Sequence, residues 1–415
     1  ESYMRVIFLA LALLSSFGCS TIVRTTLPFN DLPAPGGPFA VGMGIETWTD
    51  TSRPETFTVN PNDSRRIVVQ YWYPAEDPDQ GDSQGDSQGK GRAQTIDKSN
   101  AYPYIDQPDK RLSAFAKTMG LPRFLVEHIR DVKTHSLLNQ PIHPGTNTLP
   151  LIVFSHGLGG MKSQNSIQAE ELASRGYVVI GADHAFDAYL TIFDDGSTAD
   201  YRSSSSDISN EAEFWAARGP QLQARTGDIR FILDVIKSRS KEAQDNVATS
   251  TMSLWQRIDP DRIGVFGHSF GGATSLMALS QDPRIRAAIA LDGWMVPVPE
   301  AAIDAGTDKP VLYLGQERWD EPLNYEKLDR FIANSAGQAK KEIWPGTKHM
   351  DFADAPHLSN FARRIGFAGS LPSAELRERL NGSILTFFAD HLAKHTPNVE
   401  AVTMEQSKMK TVTYP

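Results

Sequence analysis

Cleaving an ester at neutral pH calls for a hydroxyl nucleophile, a base within hydrogen-bond reach of it, and a carboxylate to orient that base. Ser269 is the candidate nucleophile. It stands in Gly267-His268-Ser269-Phe270-Gly271, after the strand-forming run Ile263-Gly264-Val265-Phe266 and before an apolar-periodic segment through Ala273, Leu276, Met277 and Leu279. The glycines at 267 and 271 are expected to let the chain turn sharply, so that a strained Ser269 projects its hydroxyl. The same Gly-x-Ser-x-Gly spacing recurs at Gly81-Asp82-Ser83-Gln84-Gly85 and Gly85-Asp86-Ser87-Gln88-Gly89. Those two copies lie in a polar repeat with neither strand nor helix beside them, so they lack the context that exposes a nucleophile.

Carboxylate and base candidates follow downstream. Asp292 comes directly after the apolar run Ala287-Ala288-Ile289-Ala290-Leu291, and His349 lies in the loop after Lys341-Glu342-Ile343-Trp344. Glu317 and Asp320 follow the next strand candidate and remain open as alternative acids. His357 is an alternative base further into a helix-like segment, and His268, inside the turn itself, is expected to pack there. The glycine-rich Ser155-His156-Gly157-Leu158-Gly159-Gly160 follows a strand candidate. Its Leu158 N–H, with that of Phe270 after the nucleophile, is the expected pair of donors to a developing oxyanion.

These residues need a scaffold that gathers strand ends. Strand candidates at 39–47 and 66–73 are followed, from Leu149, by regular alternation of strand and helix. Strands are expected at 149–155, 177–180, 263–266, 287–291, 311–314 and 341–344, with helices at 165–174, 217–239 and 373–394. Such alternation implies an α/β protein with a mostly parallel sheet covered on both faces, here the α/β-hydrolase fold. In that fold the order is serine, acid, histidine, which speaks against His156 and His184 as the base. Its active sites collect at the carboxyl ends of strands, where Asp292 and His349 are placed.

The chain has 415 residues, enough for one large domain with elaborations, and its 40 % apolar content supports a sizeable core. A net charge of −9 argues against nucleic-acid binding and against electrostatic docking on anionic lipid. The only cysteine, Cys19, excludes an intramolecular disulfide and a cysteine metal cluster, and the expected chemistry needs neither metal nor cofactor. Met4-Arg5, an apolar run from Val6 to Leu14, and Ser15-Ser16-Phe17-Gly18-Cys19 resemble a bacterial lipoprotein signal. Cys19 would then carry lipid, and the protein would be exported to the cell envelope and anchored there; a secreted or periplasmic protein is the alternative. The expected organisation is a leader at 1–19, a Pro/Gly-rich tether at 20–38, a catalytic domain at 39–395 with a low-complexity loop at 76–94, and a polar tail at 396–415. A serine-rich loop is expected at 201–213.

Four stretches resemble the platelet-activating factor acetylhydrolases of the plasma and type II kind: 154–159, 267–274, 290–295 (Ala-Leu-Asp-Gly-Trp-Met) and 349–354 (His-Met-Asp-Phe-Ala-Asp). The resemblance implies a calcium-independent serine esterase acting on short or oxidised sn-2 acyl chains of phospholipids. It carries over Ser269, Asp292 and His349 as the triad and Leu158 and Phe270 as oxyanion donors, and so favours Asp292 over the later carboxylates. The alternatives are a broad short-chain esterase or polyester hydrolase without a phospholipid role, and a non-catalytic lipid-binding lipoprotein. The leader, the Gly-Asp-Ser-Gln repeat and the serine-rich stretch depart from the animal enzymes. Finally, Leu121, Phe124, Leu125, Val126, Ile129 and Val132 spread over roughly 200° of a helical wheel, more than one core contact requires. The resembling family has a membrane-contacting helix at this place, so Leu121, Phe124 and Leu125 are expected to meet a lipid surface; a helix sandwiched between the core and the 76–94 loop is the alternative.

Overall fold

The computed structural model describes residues 23–78, 100–146, 148–203, 208–245, 253–364 and 366–393. Cys19 and the leader, most of the 76–94 loop, residues 204–207 of the serine-rich stretch and the 396–415 tail lie outside the described residues.

Twelve strands form among the described residues: β1 (Ala40–Pro54), β2 (Ser64–Ala75), β3 (Ala101–Pro103), β4 (Lys133–Leu138), β5 (Leu149–Ser155), β6 (Val178–His184), β7 (Leu190–Ile192), β8 (Thr198–Asp200), β9 (Ile258–His268), β10 (Ile285–Leu291), β11 (Val311–Gln316) and β12 (Ala339–Trp344). Ten of them make one sheet in the order β12-β11-β10-β9-β5-β6-β2-β1-β4-β3, while β7 and β8 pair separately. Every pairing from β12 to β6 is parallel, and β2 runs antiparallel to both of its neighbours. This is the expected α/β-hydrolase arrangement.

Alternation along each strand divides the core between the two faces of the sheet. Leu151, Val153, Val265 and Ala290 point to one face, under the helices Glu211–Asp245 and Phe270–Gln281. Ile152, Phe154, Phe266 and Ile289 point to the other, under Ser166–Ala173 and Ser373–His391. All seven residues of β5 are buried, as a strand covered on both faces must be.

Three expectations change. The stretch from Val23, part of the expected extended tether at 20–38, is seated on the domain. Leu32 is buried in a small core with Ile105, Leu112 and Ile129, and Leu32 N–H donates to Lys133 O at 3.0 Å. Gly36 N–H donates to Glu171 at 2.7 Å, so the backbone polar groups of this proline-rich run find partners in the body. β4, with the weakly apolar sequence Lys-Thr-His-Ser-Leu-Leu, extends the sheet beyond β1, where no strand was expected.

The third change concerns 121–132. The α-helix covers only Arg123–Val126 and continues as a 3₁₀ turn over Glu127–Asp131. With three residues per turn, Val126, Ile129 and Val132 fall on one face, and all three are buried. Phe124 is left outside, 61 % exposed, with Leu121 and Leu125 half-buried.

Candidate active site

β9 delivers Ser269 and β10 delivers Asp292, and the two strands are in register so that His268 pairs with Leu291. On the other side of β9, Gly267 pairs with Ser155, the last residue of β5, which places the 156–160 loop beside the same turn. β12 ends at Trp344, opposite Gln316 of β11, and the chain then reaches His349 through Pro345-Gly346-Thr347-Lys348. Four strands thus carry the sequence candidates to the same end of the sheet, at their carboxyl ends.

Ser269 itself carries the turn, with φ 57° and ψ −122°. For a residue with a side chain this conformation costs about 1–3 kcal/mol. Gly267 and Gly271, expected to supply the turn, do not have positive φ. They are glycine because of close approach: a Cβ on Gly271 would lie 1.9 Å from Ser155 O, and one on Gly267 would lie 2.2 Å from Gly271 O. The strained backbone is held by Ser269 N–H donating to Leu291 O at 3.0 Å and by Trp294 N–H donating to Ser269 O at 2.9 Å.

Asp292 is fully buried and its two oxygens accept four hydrogen bonds. His349 Nδ1 donates to Oδ2 at 2.6 Å and Gln316 Nε2 to the same oxygen at 2.8 Å. Gln316 N–H and Trp319 Nε1 donate to Oδ1 at 3.1 and 3.0 Å. An ionised carboxylate accepts only, so His349 carries its proton on Nδ1 and presents Nε2 as an acceptor. Trp319 also packs edge-on to the His349 ring at 5.0 Å. The His349 turn is fixed by buried Asp351, which accepts from Lys348 N–H at 2.7 Å and Gly369 N–H at 2.6 Å. Burial raises the Asp351 carboxyl above its ordinary range.

The other candidates lie elsewhere. Glu317 and Asp320 are exposed, and Glu317 accepts from Gly346 N–H at 3.1 Å. His357 is buried away from Asp292 and driven down to about 4, by burial first and then by Arg377 and Arg363. His156, which opens the 156–160 loop, and His184, at the end of β6, are fully buried, each depressed mainly by desolvation. His268 packs inside the turn as expected; burial, with the neighbouring His349, holds it well below the usual histidine range and so neutral.

The 156–160 loop backs directly onto the turn. A Cβ on Gly157 would sit 3.3 Å from Ser269 Cβ. Gln164 joins the two segments, accepting from Gly157 N–H at 3.0 Å and donating to His268 Nδ1 at 2.8 Å. Among the described residues, the N–H groups of Leu158 and Phe270 have no protein acceptor. Thr118, just before Gly120-Leu121, comes within 3.0 Å of where a Gly159 Cβ would be, so the exposed Phe124 segment follows from the rim of this loop. Gln164, Gln316 and Trp319 went unnoticed in the sequence. Only the proximity of Gln316 and Trp319 to a strand end marked them.

A separate cleft of about 390 Å³, lined by Leu279, Gly306, Lys309 and Asn334, opens where β11 begins, at the opposite end of the strands from Ser269.

Comparison with known proteins agrees with the α/β-hydrolase fold. The platelet-activating factor acetylhydrolase of Canis lupus familiaris is 32 % identical over 298 residues, 67 % of this chain and 65 % of that protein. That of Cavia porcellus is 26 % identical over 90 % of this chain and 80 % of that protein. A solved ferulic acid esterase from Streptomyces cinnamoneus superposes with a TM-score of 0.64 at 26 % identity, covering 88 % of this chain and 93 % of that one. Residues 97–410, which include all four candidate strand ends, match the family described as platelet-activating factor acetylhydrolase, isoform II, and the chain belongs to that family.

Proposed function

We propose that the protein is a serine carboxylester hydrolase that removes short or oxidised sn-2 acyl groups from phospholipids. The observation carrying this reading is the 2.6 Å contact of His349 Nδ1 with a fully buried, four-fold hydrogen-bonded Asp292, one residue beyond the strand paired with the Ser269 turn.

His349 Nε2 takes the Ser269 proton as Oγ attacks the ester carbonyl carbon, and Asp292 steadies the imidazolium that forms. The carbonyl oxygen becomes an oxyanion held by the N–H groups of Leu158 and Phe270. Collapse breaks the acyl C–O bond, and His349 returns its proton to the departing lysophospholipid oxygen. Water then gives a proton to His349 while its oxygen attacks the acyl-Ser269 carbonyl. Collapse frees the carboxylic acid and restores the serine hydroxyl. Every proton is accounted for by His349, so the cycle needs neither metal nor cofactor.

Access to lipid is assigned to Phe124 with Leu121 and Leu125. Each side chain moved fully from water into lipid contributes roughly 2 kcal/mol. The leader sequence supports lipidation at Cys19 and residence in a bacterial cell envelope. A Cys19→Ala protein released into the soluble exported fraction would agree with this, and an unmodified mature N-terminus by mass spectrometry would not.

A second reading, a broad short-chain esterase or polyester hydrolase, is favoured by the likeness to the ferulic acid esterase. One panel separates the two: an sn-2 acetyl phospholipid, p-nitrophenyl esters and polyester film, each with wild type and Ser269→Ala. Preference for the phospholipid supports the first reading and preference for film the second. Failure of a fluorophosphonate to label Ser269 would remove both and leave a non-catalytic lipid-binding protein.

A further inference from the structure

Arg225 lies on the helix Glu211–Asp245 with no exposed surface, directly behind the 156–160 loop. Its Nη1 donates to His156 O at 2.6 Å and its Nη2 to Gly157 O at 3.3 Å. Its Nε donates to Asp187 Oδ2 at 2.7 Å, and the guanidinium lies 4.9 Å from the centre of the Phe270 ring. One side chain therefore meets both residues of the loop preceding Leu158 and the residue that carries the second donor.

The surrounding bonds fix the direction of the Leu158 N–H. His184 N–H donates to His156 Nε2 at 3.2 Å, leaving the ring proton on Nδ1, which donates to Gly157 O at 2.6 Å. Gly157 O is thus held from two sides. It shares a peptide plane with Leu158 N–H, and in a trans peptide these two groups point in opposite directions; the described residues contain no cis bond. Holding the carbonyl toward Arg225 turns the Leu158 N–H away from it. The next amide, Gly159 N–H, donates to Asp187 O at 2.9 Å, which anchors the chain on the far side of Leu158 and leaves the orientation of the Gly157–Leu158 peptide to the bonds on Gly157 O.

We propose that Arg225, oriented by Asp187, is a positioning residue for the oxyanion hole: it locks the Gly157–Leu158 peptide in the donating orientation and braces Phe270. The inference rests on the esterase reading above. With the guanidinium gone, the peptide can rotate and present the Gly157 carbonyl where the oxyanion forms, which would repel it.

The test uses p-nitrophenyl acetate with Arg225→Lys, Arg225→Gln and the milder Asp187→Asn, each counted by active-site titration so that unfolded protein does not enter the rate. Losing one oxyanion donor costs on the order of a hundredfold in kcat. The Arg225 variants should show that loss per titrated site with KM within about threefold, because the ground-state carbonyl uses the hole little. Affinity for an aryl trifluoromethyl ketone, which forms a tetrahedral oxyanion on serine, should fall in parallel with kcat/KM. Asp187→Asn should lie between these variants and wild type. Arg53→Gln, which removes bonds to Asp50, Ala224 O and Asp228 but none to the 156–160 loop itself, serves as the structural comparison and should keep kcat per site. Arg225 variants with wild-type kcat per site, or with unchanged ketone affinity, would overturn the inference. A wild type that hydrolyses no ester would instead remove the esterase reading, and with it any oxyanion hole to position.

Discussion

His268 Nε2 donates to the backbone carbonyl of His349 over 2.9 Å, and the two rings lie 4.5 Å apart. The residue before the candidate nucleophile therefore holds the backbone of the candidate base. Gln164 completes the chain by donating to the other nitrogen of His268, which requires the ring to stay neutral. The turns of the candidate nucleophile and base and the 156–160 loop share one connected set of hydrogen bonds, and the first three predictions concern how the candidate site is supported.

Asp292→Asn should lower kcat by roughly 10⁴, because an amide donor opposite Nδ1 favours the wrong imidazole tautomer. Glu317→Gln and Asp320→Asn should change kcat little, since both are exposed and away from His349. Stopped-assay kinetics on the three variants check the assignment, and an equal loss in either of the last two would contradict it.

Trp319→Phe keeps the ring beside His349 but removes one donor to Asp292. Hydrogen bonds to charged groups contribute about 1.5–3 kcal/mol, only part of which acts in the transition state, so kcat should fall roughly tenfold. KM should remain near wild type. A loss of thermal stability with unchanged kcat would make Trp319 a packing residue only.

Gly271→Ala should destabilise the fold by at least about 3 kcal/mol, since the new methyl would overlap Ser155 O and both partners are backbone. Urea denaturation measures this. A Cm within error of wild type would show that the two segments can separate.

His357 gives a pH prediction. Its folded-state value is about 4 against an ordinary 6.5, so between these values the unfolded chain binds a proton that the folded chain refuses. Stability therefore falls as pH is lowered through this window, by up to about 3 kcal/mol from this group. His357→Phe removes that contribution. Its Tm should decline less steeply than wild type between pH 7 and 4, whatever its absolute Tm; parallel curves would refute the assignment.

Phe124→Ser combined with Leu125→Ser should weaken binding to phosphatidylcholine vesicles at least tenfold, given roughly 2 kcal/mol per fully transferred side chain. Hydrolysis of p-nitrophenyl acetate should hardly move, and Tm should fall only slightly, because Phe124 is 61 % exposed and Leu125 half-buried. A joint fall of both activities with Tm would place these side chains in the core.

The sequence by itself determined what is local. A strand, a tight turn and a helix around Ser269, the glycine loop at 157–160, and strand ends before Asp292 and near His349 are each written within a few consecutive residues. Strand–helix alternation then sufficed for a mostly parallel sheet, because only crossover connections link parallel neighbours. Tertiary structure decided which distant groups meet. Asp292 and Glu317 both follow apolar strands, and it is the register of β10 between β9 and β11 that sets Asp292 beside His349. The strain lies on Ser269 rather than on its glycines, because the glycines are needed where the helix backbone presses on β5. The chain at 121–132 passes from a short α-helix into a 3₁₀ turn that buries Val126, Ile129 and Val132 and leaves Phe124 outside, a division that no local apolar pattern records. Arg225, 44 residues before Ser269, carries no motif at all. Its place behind Gly157 comes from the packing of a long helix against the sheet, a contact that composition and spacing do not encode.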